Sequence, residues 1–181
     1  VNTMEAAGIG AYADLVVANT DAQSLNRSRA KKQILIGKNL AKGLGAGSSP
    51  ALGMQAAEES IEDIKKEIEG ADMIFITAGM GGGTGTGAAP VVARIAQELG
   101  ILTVAGVTKP FSFEGKRRAE NAEEGLKELK DHVDTLIVIP NDKLLGLIDK
   151  KTSMFNAFSE VDDVLRQGVQ GIIDIIQQEG L

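Results

Sequence analysis

The sequence has no cysteine and no tryptophan, one histidine, one tyrosine and only four prolines in 181 residues. Without cysteine there is no disulfide framework, no thiol nucleophile and no cysteine–zinc site. A lone histidine, His132, excludes HExxH-type metal sites and any multi-histidine site built from one chain, and it reads as a surface residue. No apolar run approaches the roughly 18 residues of a membrane-spanning helix, so direct membrane insertion is not expected. Positive charge is also short: 19 Lys and Arg against 25 Asp and Glu leave a formal charge of −6. That balance argues against a nucleic-acid partner, and the Lys116-Arg117-Arg118 run reads as a solvated surface. Low-complexity tracts and internal repeats are missing too. With 43% hydrophobic and 24% charged residues the chain has the composition of an ordinary globular domain.

Glycine is what the sequence has in excess: 22 residues, about 12% against an average near 7%. Ten of them fall in two loops, so the chain there needs bare backbone more than side chains.

Short apolar, β-branched runs at 15–18, 33–36, 73–77, 102–107 and 135–139 predict five strands. Continuous runs of this kind suit strands buried on both faces, as in parallel sheets. Helical stripes lie between them. Met54, Ala57, Ile61, Ile64 and Ile68 form one; Ala88, Val91, Val92, Ile95 and Leu99 a second; Ala119, Ala122, Leu126 and Leu129 a third. A last stripe runs through positions 158, 161, 165, 169, 172 and 176. The alternation predicts an α/β fold, a Rossmann-like and mostly parallel sheet with helices on both faces. Residues 1–7 read as the inside of a helix without start methionine or cleavage signal, and the last helix stops at Gly180-Leu181. A partial sequence is the expectation.

In such folds ligands bind beyond the carboxyl ends of the strands, which directs attention to the loops that follow them. The loop over 43–53 carries Gly43, Gly45, Gly47 and Gly53, with Ser49 as a helix N-cap and Pro50 as first helical residue. A capped structural turn and an anion site fit it equally well. The loop over 78–90 follows a buried strand, enters a helix and holds six glycines within nine residues, with Thr84 and Thr86 among them. Backbone N–H groups and the positive end of a helix facing a phosphate would use such a loop. It is not a P-loop, since GxxxxGK[ST] is missing. Gly83-Thr84-Gly85-Thr86-Gly87-Ala88 matches GxGxxG/A, but the next strand ends Val107-Thr108-Lys109-Pro110, without the acidic residue that holds a dinucleotide ribose.

Gly82-Gly83-Thr84-Gly85-Thr86-Gly87 resembles the signature GGTG[ST]G of the tubulin/FtsZ GTPase family. Further blocks resemble the bacterial cell-division branch of that family, in order and at similar spacing. They are Asn19-Thr20-Asp21-Ala22-Gln23, Gly43-Leu44-Gly45-Ala46-Gly47, Thr108-Lys109-Pro110-Phe111 with Phe113-Glu114-Gly115-Lys116, and Ile139-Pro140-Asn141-Asp142-Lys143-Leu144. The resemblance spans residues 1–181. It implies a GTPase domain that lacks its first strand and first phosphate loop, without the C-terminal domain to which the long last helix would lead. Small departures exist: Ser48-Ser49-Pro50-Ala51-Leu52-Gly53 stands where the family often has a G/A-N-P-E-V-G run, and the segment 8–13 reads as one residue longer than usual.

The resemblance also implies roles. Gly82, Gly83, Thr84 and Gly85 match the phosphate-binding signature; Gly45, Ala46 and Gly47 match the loop that senses the γ-phosphate. Glu114 and Arg118 match positions that contact ribose and ribose or phosphate. Asn19 and Asn141 match positions near the nucleotide. Phe158 and Asp162, four apart on one helical face, match the residues that stack on guanine and accept from its N1–H and amino group. Asp163 should point elsewhere. The implied ligands are GTP and GDP, with Mg²⁺ carried by the phosphates; no metal ligand is assigned. The implied activity is GTP hydrolysis in head-to-tail filaments of the bacterial division ring, in the cytoplasm at mid-cell, with tethering or regulating division proteins as further partners. The family's catalytic acid lies in an NxDFAD-like loop acting on the neighbouring subunit's GTP, so no catalytic residue is assigned in this chain. A tubulin-like GTP binder without efficient turnover, or a dinucleotide-dependent enzyme, is the alternative.

Overall fold

The computed structural model describes residues 1–145 and 153–178. In chain order its elements are α1 (Asn2–Ala6), β1 (Val16–Asn19), α2 (Ala22–Asn26), β2 (Lys32–Leu35), α3 (Pro50–Glu59), α4 (Ile61–Ile68), β3 (Met73–Gly79), α5 (Thr84–Glu98), β4 (Leu102–Lys109), α6 (Lys116–Lys130), β5 (Thr135–Pro140), α7 (Asn141–Leu145) and α8 (Met154–Gln178). Short 3₁₀ turns stand at Ile9–Ala11 and Ser112–Glu114.

All five expected strands form, and every pairing is parallel. They divide into a pair, β1–β2, and a triplet in the order β3–β4–β5. Val16 faces Lys32 in the first; Met73 faces Leu102 and Val104 faces Thr135 in the second. The facing edges of β1 and β3 have no further strand partner among the described residues. Between them lies an apolar cavity of about 320 Å³ lined by Val16, Val17, Ile34, Ile74, Ile76 and Val92, among others.

Helix α5 is the hinge of the packing. Ala89 and Ala93 face the β3–β4–β5 sheet and α6, in a core with Ile76, Ala105, Val107, Leu126 and Leu129. Ala88, Val91 and Ile95 face the other way, into a core with Ile34, Ile36, Ala56, Ala57 and Ile64. A stripe of one face was expected here, whereas burial on two faces explains why the helix is rich in alanine: small residues let two layers close in on it. On the opposite side, Met4 and Ile9 pack with Val169 of α8 and with Phe75.

The stripe from Met54 to Ile68 is not one helix. The chain leaves helical geometry at Ser60 (φ −109°, ψ 19°), and the Ser60 hydroxyl accepts the Gly37 N–H at 3.0 Å. Periodicity across the break continued only because α3 and α4 bury the same side, and Met54 is left exposed. The predicted cap does form: the Ser49 hydroxyl accepts the Leu52 N–H at 3.3 Å, with Pro50 as the first helical residue.

Helix α3 crosses α5 at backbone distance. A methyl group on Gly87 would run into the Pro50 carbonyl and Met54 N–H, whereas one on Gly168 of α8 meets nothing within 4 Å. Gly87→Ala should therefore lower the unfolding free energy in urea by about 2 kcal/mol or more. Gly168→Ala should raise it by roughly 0.5–1 kcal/mol. Equal effects would show that the close crossing is not needed.

Candidate functional site

The carboxyl ends of β1, β3 and β4 bring the two glycine loops together, and the loops bond directly to each other. The Gly83 N–H donates to the Gly47 carbonyl at 2.9 Å, and a Cβ on Gly83 would lie 2.7–2.9 Å from atoms of Ala46 and Gly47. The segment after β1 holds the first loop from outside: Gly45 N–H donates to the Thr20 carbonyl (3.1 Å) and Ala22 N–H to that of Gly43 (3.0 Å). Thr20, fully buried, also shares a hydroxyl–hydroxyl hydrogen bond of 2.7 Å with Thr84. In the second loop the Gly81 N–H is taken by the Thr86 hydroxyl at 2.8 Å and the Met80 N–H by the Thr108 carbonyl at 2.9 Å. Thr86 is therefore buried and serves its own loop, not an outside ligand.

What remains is a set of unused donors. The N–H groups of Gly82, Thr84, Gly85 and Thr86, where α5 begins, have no partner among the described residues, nor do those of Ala46 and Gly47. Gly83 caps α5 without any side-chain hydrogen bond. Such a run of donors at the positive end of a fifteen-residue helix attracts an anion.

A second cluster forms where β4 and β5 end. Phe111 is buried, stacks on Phe113 (centroids 4.8 Å) and meets Phe158 of α8 edge-on at 5.2 Å. Phe158 keeps 40% of its surface exposed, as does Phe113 at 50%, so this aromatic face is open on one side. Asn141 is buried and its Oδ1 has no hydrogen-bond partner among the described residues. An unmatched buried acceptor costs about 1–3 kcal/mol, which a donor from a ligand would recover.

Asp162, one turn beyond Phe158, lines a cavity of about 190 Å³ with Thr77, Ala78 and Gly79 of β3 and with Val1, Thr3 and Met4. Asp162 is exposed as a residue, but the neighbouring protein atoms desolvate its carboxyl and hold it above the ordinary value of 3.8, opposed only by the positive N-terminus. Asp163 is turned away to Arg166 (2.7 Å) and Gln167 (2.6 Å), and these hydrogen bonds depress its pKa.

Glu114 and Arg118 are spent on each other. One carboxylate oxygen accepts from Arg118 at 2.7 Å and the other from the Phe111 N–H at 2.8 Å. Asn19 accepts the Asp21 N–H at 3.2 Å, an Asx turn that ends β1. The structure thus brings Gly82, Gly83, Thr84 and Gly85 together with Gly45, Ala46 and Gly47 in one loop cluster beside Asn19. It groups Phe158 with Phe111, and places Asp162 at the β3 end. Sequence reading missed Thr20, next to Asn19, and Asn121, whose amide bridges the two glycine loops from α6. The spacing 118, 121, 125 on one face of α6 was the available signal for Asn121. Among the described residues no three His, Asp or Glu side chains gather to hold a metal ion, and no helix is long and apolar enough to cross a membrane.

The sequence profile of the tubulin/FtsZ family, GTPase domain, matches residues 5–149. An empty FtsZ dimer from M. jannaschii is 51% identical with a TM-score of 0.90, over 96% of this chain and 51% of that one. An FtsZ point mutant from M. jannaschii is 55% identical (TM-score 0.84) over 88% of this chain and 48% of that one. A GTPγS-bound protofilament of CetZ2 from Haloferax volcanii is 25% identical (TM-score 0.85) over 95% of this chain and 53% of that one. The chain spans about half the length of each.

Because the folded pKa of Asp162 lies above its unfolded value, the folded state binds that proton more tightly. The burden of the charge is absent below the unfolded pKa and complete above the folded one. Asp162→Asn should then raise Tm at pH 7, and the gain should close as the pH falls below 3.8. A gain that persists at pH 3, or a loss at pH 7, would contradict the assignment.

Proposed function

Because the chain belongs to the tubulin/FtsZ GTPase family, we propose that it is a GTP- and GDP-binding part of a filament-forming GTPase of cell division. The observation that carries this reading is the row of free N–H groups at Gly82, Thr84, Gly85 and Thr86, with Asp162 and Phe158 at the other end of the same strand-end surface. In this reading the donors bind and orient the phosphates. Phe158 stacks on the base, and the Asp162 carboxylate accepts from the guanine N1–H and amino group. In the place of those two donors adenine has a ring acceptor at N1 and a C–H at position 2, which a carboxylate repels or leaves unpaired, so it selects guanine. For Glu114 and Arg118 to reach ribose and phosphate, their mutual ion pair opens on binding. Asn141 and Asn19 border the nucleotide. Mg²⁺ fits only as a companion of the phosphates, since the described residues build no metal cluster of their own.

The cavity between β1 and β3 is the second element of the proposal. It is apolar, lies between two unpaired parallel edges, and takes one more strand at the centre of the sheet, as the resemblance implies. Hydrolysis and filament growth belong to the whole protein: this chain supplies no catalytic residue, and the acidic group comes from the next subunit in a head-to-tail polymer. Such an interface is heterologous and does not close, so it propagates. Identities of 51% and 55% with FtsZ, against 25% with CetZ2, favour the division-ring role, in the cytoplasm at mid-cell, with tethering or regulating division proteins as partners.

Calorimetric titration with GTP, GDP and ATP tests the reading. GTP and GDP should bind, with ATP at least tenfold weaker, about the worth of one charge-assisted hydrogen bond. Asp162→Asn should abolish that preference. Equal affinity for GTP and ATP would remove the base-reading role, and no binding of any nucleotide would remove the function.

A further inference from the structure

The loop between β3 and α5 contains consecutive glycines at 81, 82 and 83, and Gly81 stands at φ +110°, a conformation that L side chains rarely adopt. Peptide units between glycines flip at little cost, so nothing in this stretch by itself decides which way the 81–82 peptide points. The direction matters. In a planar trans peptide the C=O of one residue and the N–H of the next point in opposite directions. The Gly81 carbonyl and the Gly82 N–H are such a pair.

Asn121 of α6 sits against this peptide. Its side-chain amide donates to the Gly81 carbonyl at 3.2 Å and to the Ser48 carbonyl, in the other glycine loop, at 3.3 Å. The preceding peptide is fixed separately, by the Gly81 N–H on the Thr86 hydroxyl. With the Gly81 carbonyl drawn toward α6, the Gly82 N–H is turned away from α6. It is one of the donors without a partner among the described residues.

We propose that Asn121 is a positioning residue that locks the 81–82 peptide so that the Gly82 N–H faces the bound anion, while it sets the spacing between the two glycine loops. The proposal rests on the nucleotide reading for its ligand, and on the geometry alone for the lock. Aspartate at 121 has nearly the same shape but cannot donate, and its charge repels both carbonyls. Alanine removes the contact and favours the helix, so a loss with alanine is not a loss of α6.

The test compares the unsubstituted chain, Asn121→Ala and Asn121→Asp. The first readout needs no ligand: the Gly82 amide ¹H–¹⁵N resonance, assigned in each protein. It should be single and sharp in the unsubstituted chain, and shifted or broadened by exchange in both variants. The second readout is calorimetric affinity for GTP and GDP, expected to fall about tenfold for both nucleotides with Asp and less with Ala, at a Tm within a few degrees of the unsubstituted chain. An unchanged Gly82 resonance in both variants overturns the lock, whatever the affinity does. A changed resonance with unchanged affinity overturns its role in binding. If the unsubstituted chain binds neither nucleotide, the function proposed above falls, and the Gly82 resonance still decides the lock.

Discussion

The bond from the Gly83 N–H to the Gly47 carbonyl, and the lack of room for even a methyl group around it, is the contact on which the site depends. It makes two loops separated by more than thirty residues into one surface. The contact is possible only because α3 and α5 cross with their backbones nearly touching, at Gly53 against Gly83 and at Gly87 against Pro50. That crossing in turn requires the small residues that let α5 carry a core on each face. Loop chemistry and core packing are therefore one constraint: an added side chain at the crossing displaces the loops along with the helices.

Glycine-rich backbone has little conformational preference of its own, so its shape must be imposed by its neighbours. Three do so here. Thr20 and Ala22, beyond β1, hold the Gly43–Gly45 segment; Thr86, at the start of α5, holds Gly81; Asn121, from α6, holds Gly81 and Ser48 together. Each support is a side chain or backbone group of a residue other than glycine, and Thr86 and Asn121 stand on helices with buried faces of their own. The donors left over are those the supports do not use, and they gather where α5 presents its positive end.

The strands were legible because buried parallel strands are continuous apolar runs, and their short length, β-branched residues and flanking turn residues set them apart from buried helix segments. The loops were legible as glycine in excess. The purpose of individual glycines was not. Gly83 and Gly87 looked like part of a phosphate cradle, yet both are needed for close packing of backbone on backbone. Composition cannot separate these uses, because both ask for the same missing Cβ. The break at Ser60 was hidden for a similar reason: α3 and α4 bury the same side, so the periodicity runs through the break. Thr20 and Asn121 are polar residues whose partners lie 64 and 40 positions away; helical spacing puts Asn121 on the face of Arg118, but no local pattern names a partner at that range.

The two ends of the strand-end surface make opposite electrostatic demands. Around the start of α5 the unpartnered N–H groups are donors, and they favour an anion. At the end of β3 the free group is a carboxylate, Asp162, whose residue is exposed but whose carboxyl is desolvated enough to sit above its ordinary pKa. Beside it the aromatic face of Phe158 and the unmatched acceptor of Asn141 ask for a flat ring with N–H groups. A ligand with an anionic end and a donor-bearing ring satisfies both ends in one orientation, and in the reverse orientation it brings anion to anion. Asn141 and Asp162 add an unmet acceptor and a negative charge at one end, and the unpartnered donors gather at the other. The buried Asn141 acceptor is thereby held in a less favourable state than water would give it. In the proposed reading, a ligand that donates to this acceptor gains both its direction and part of its affinity.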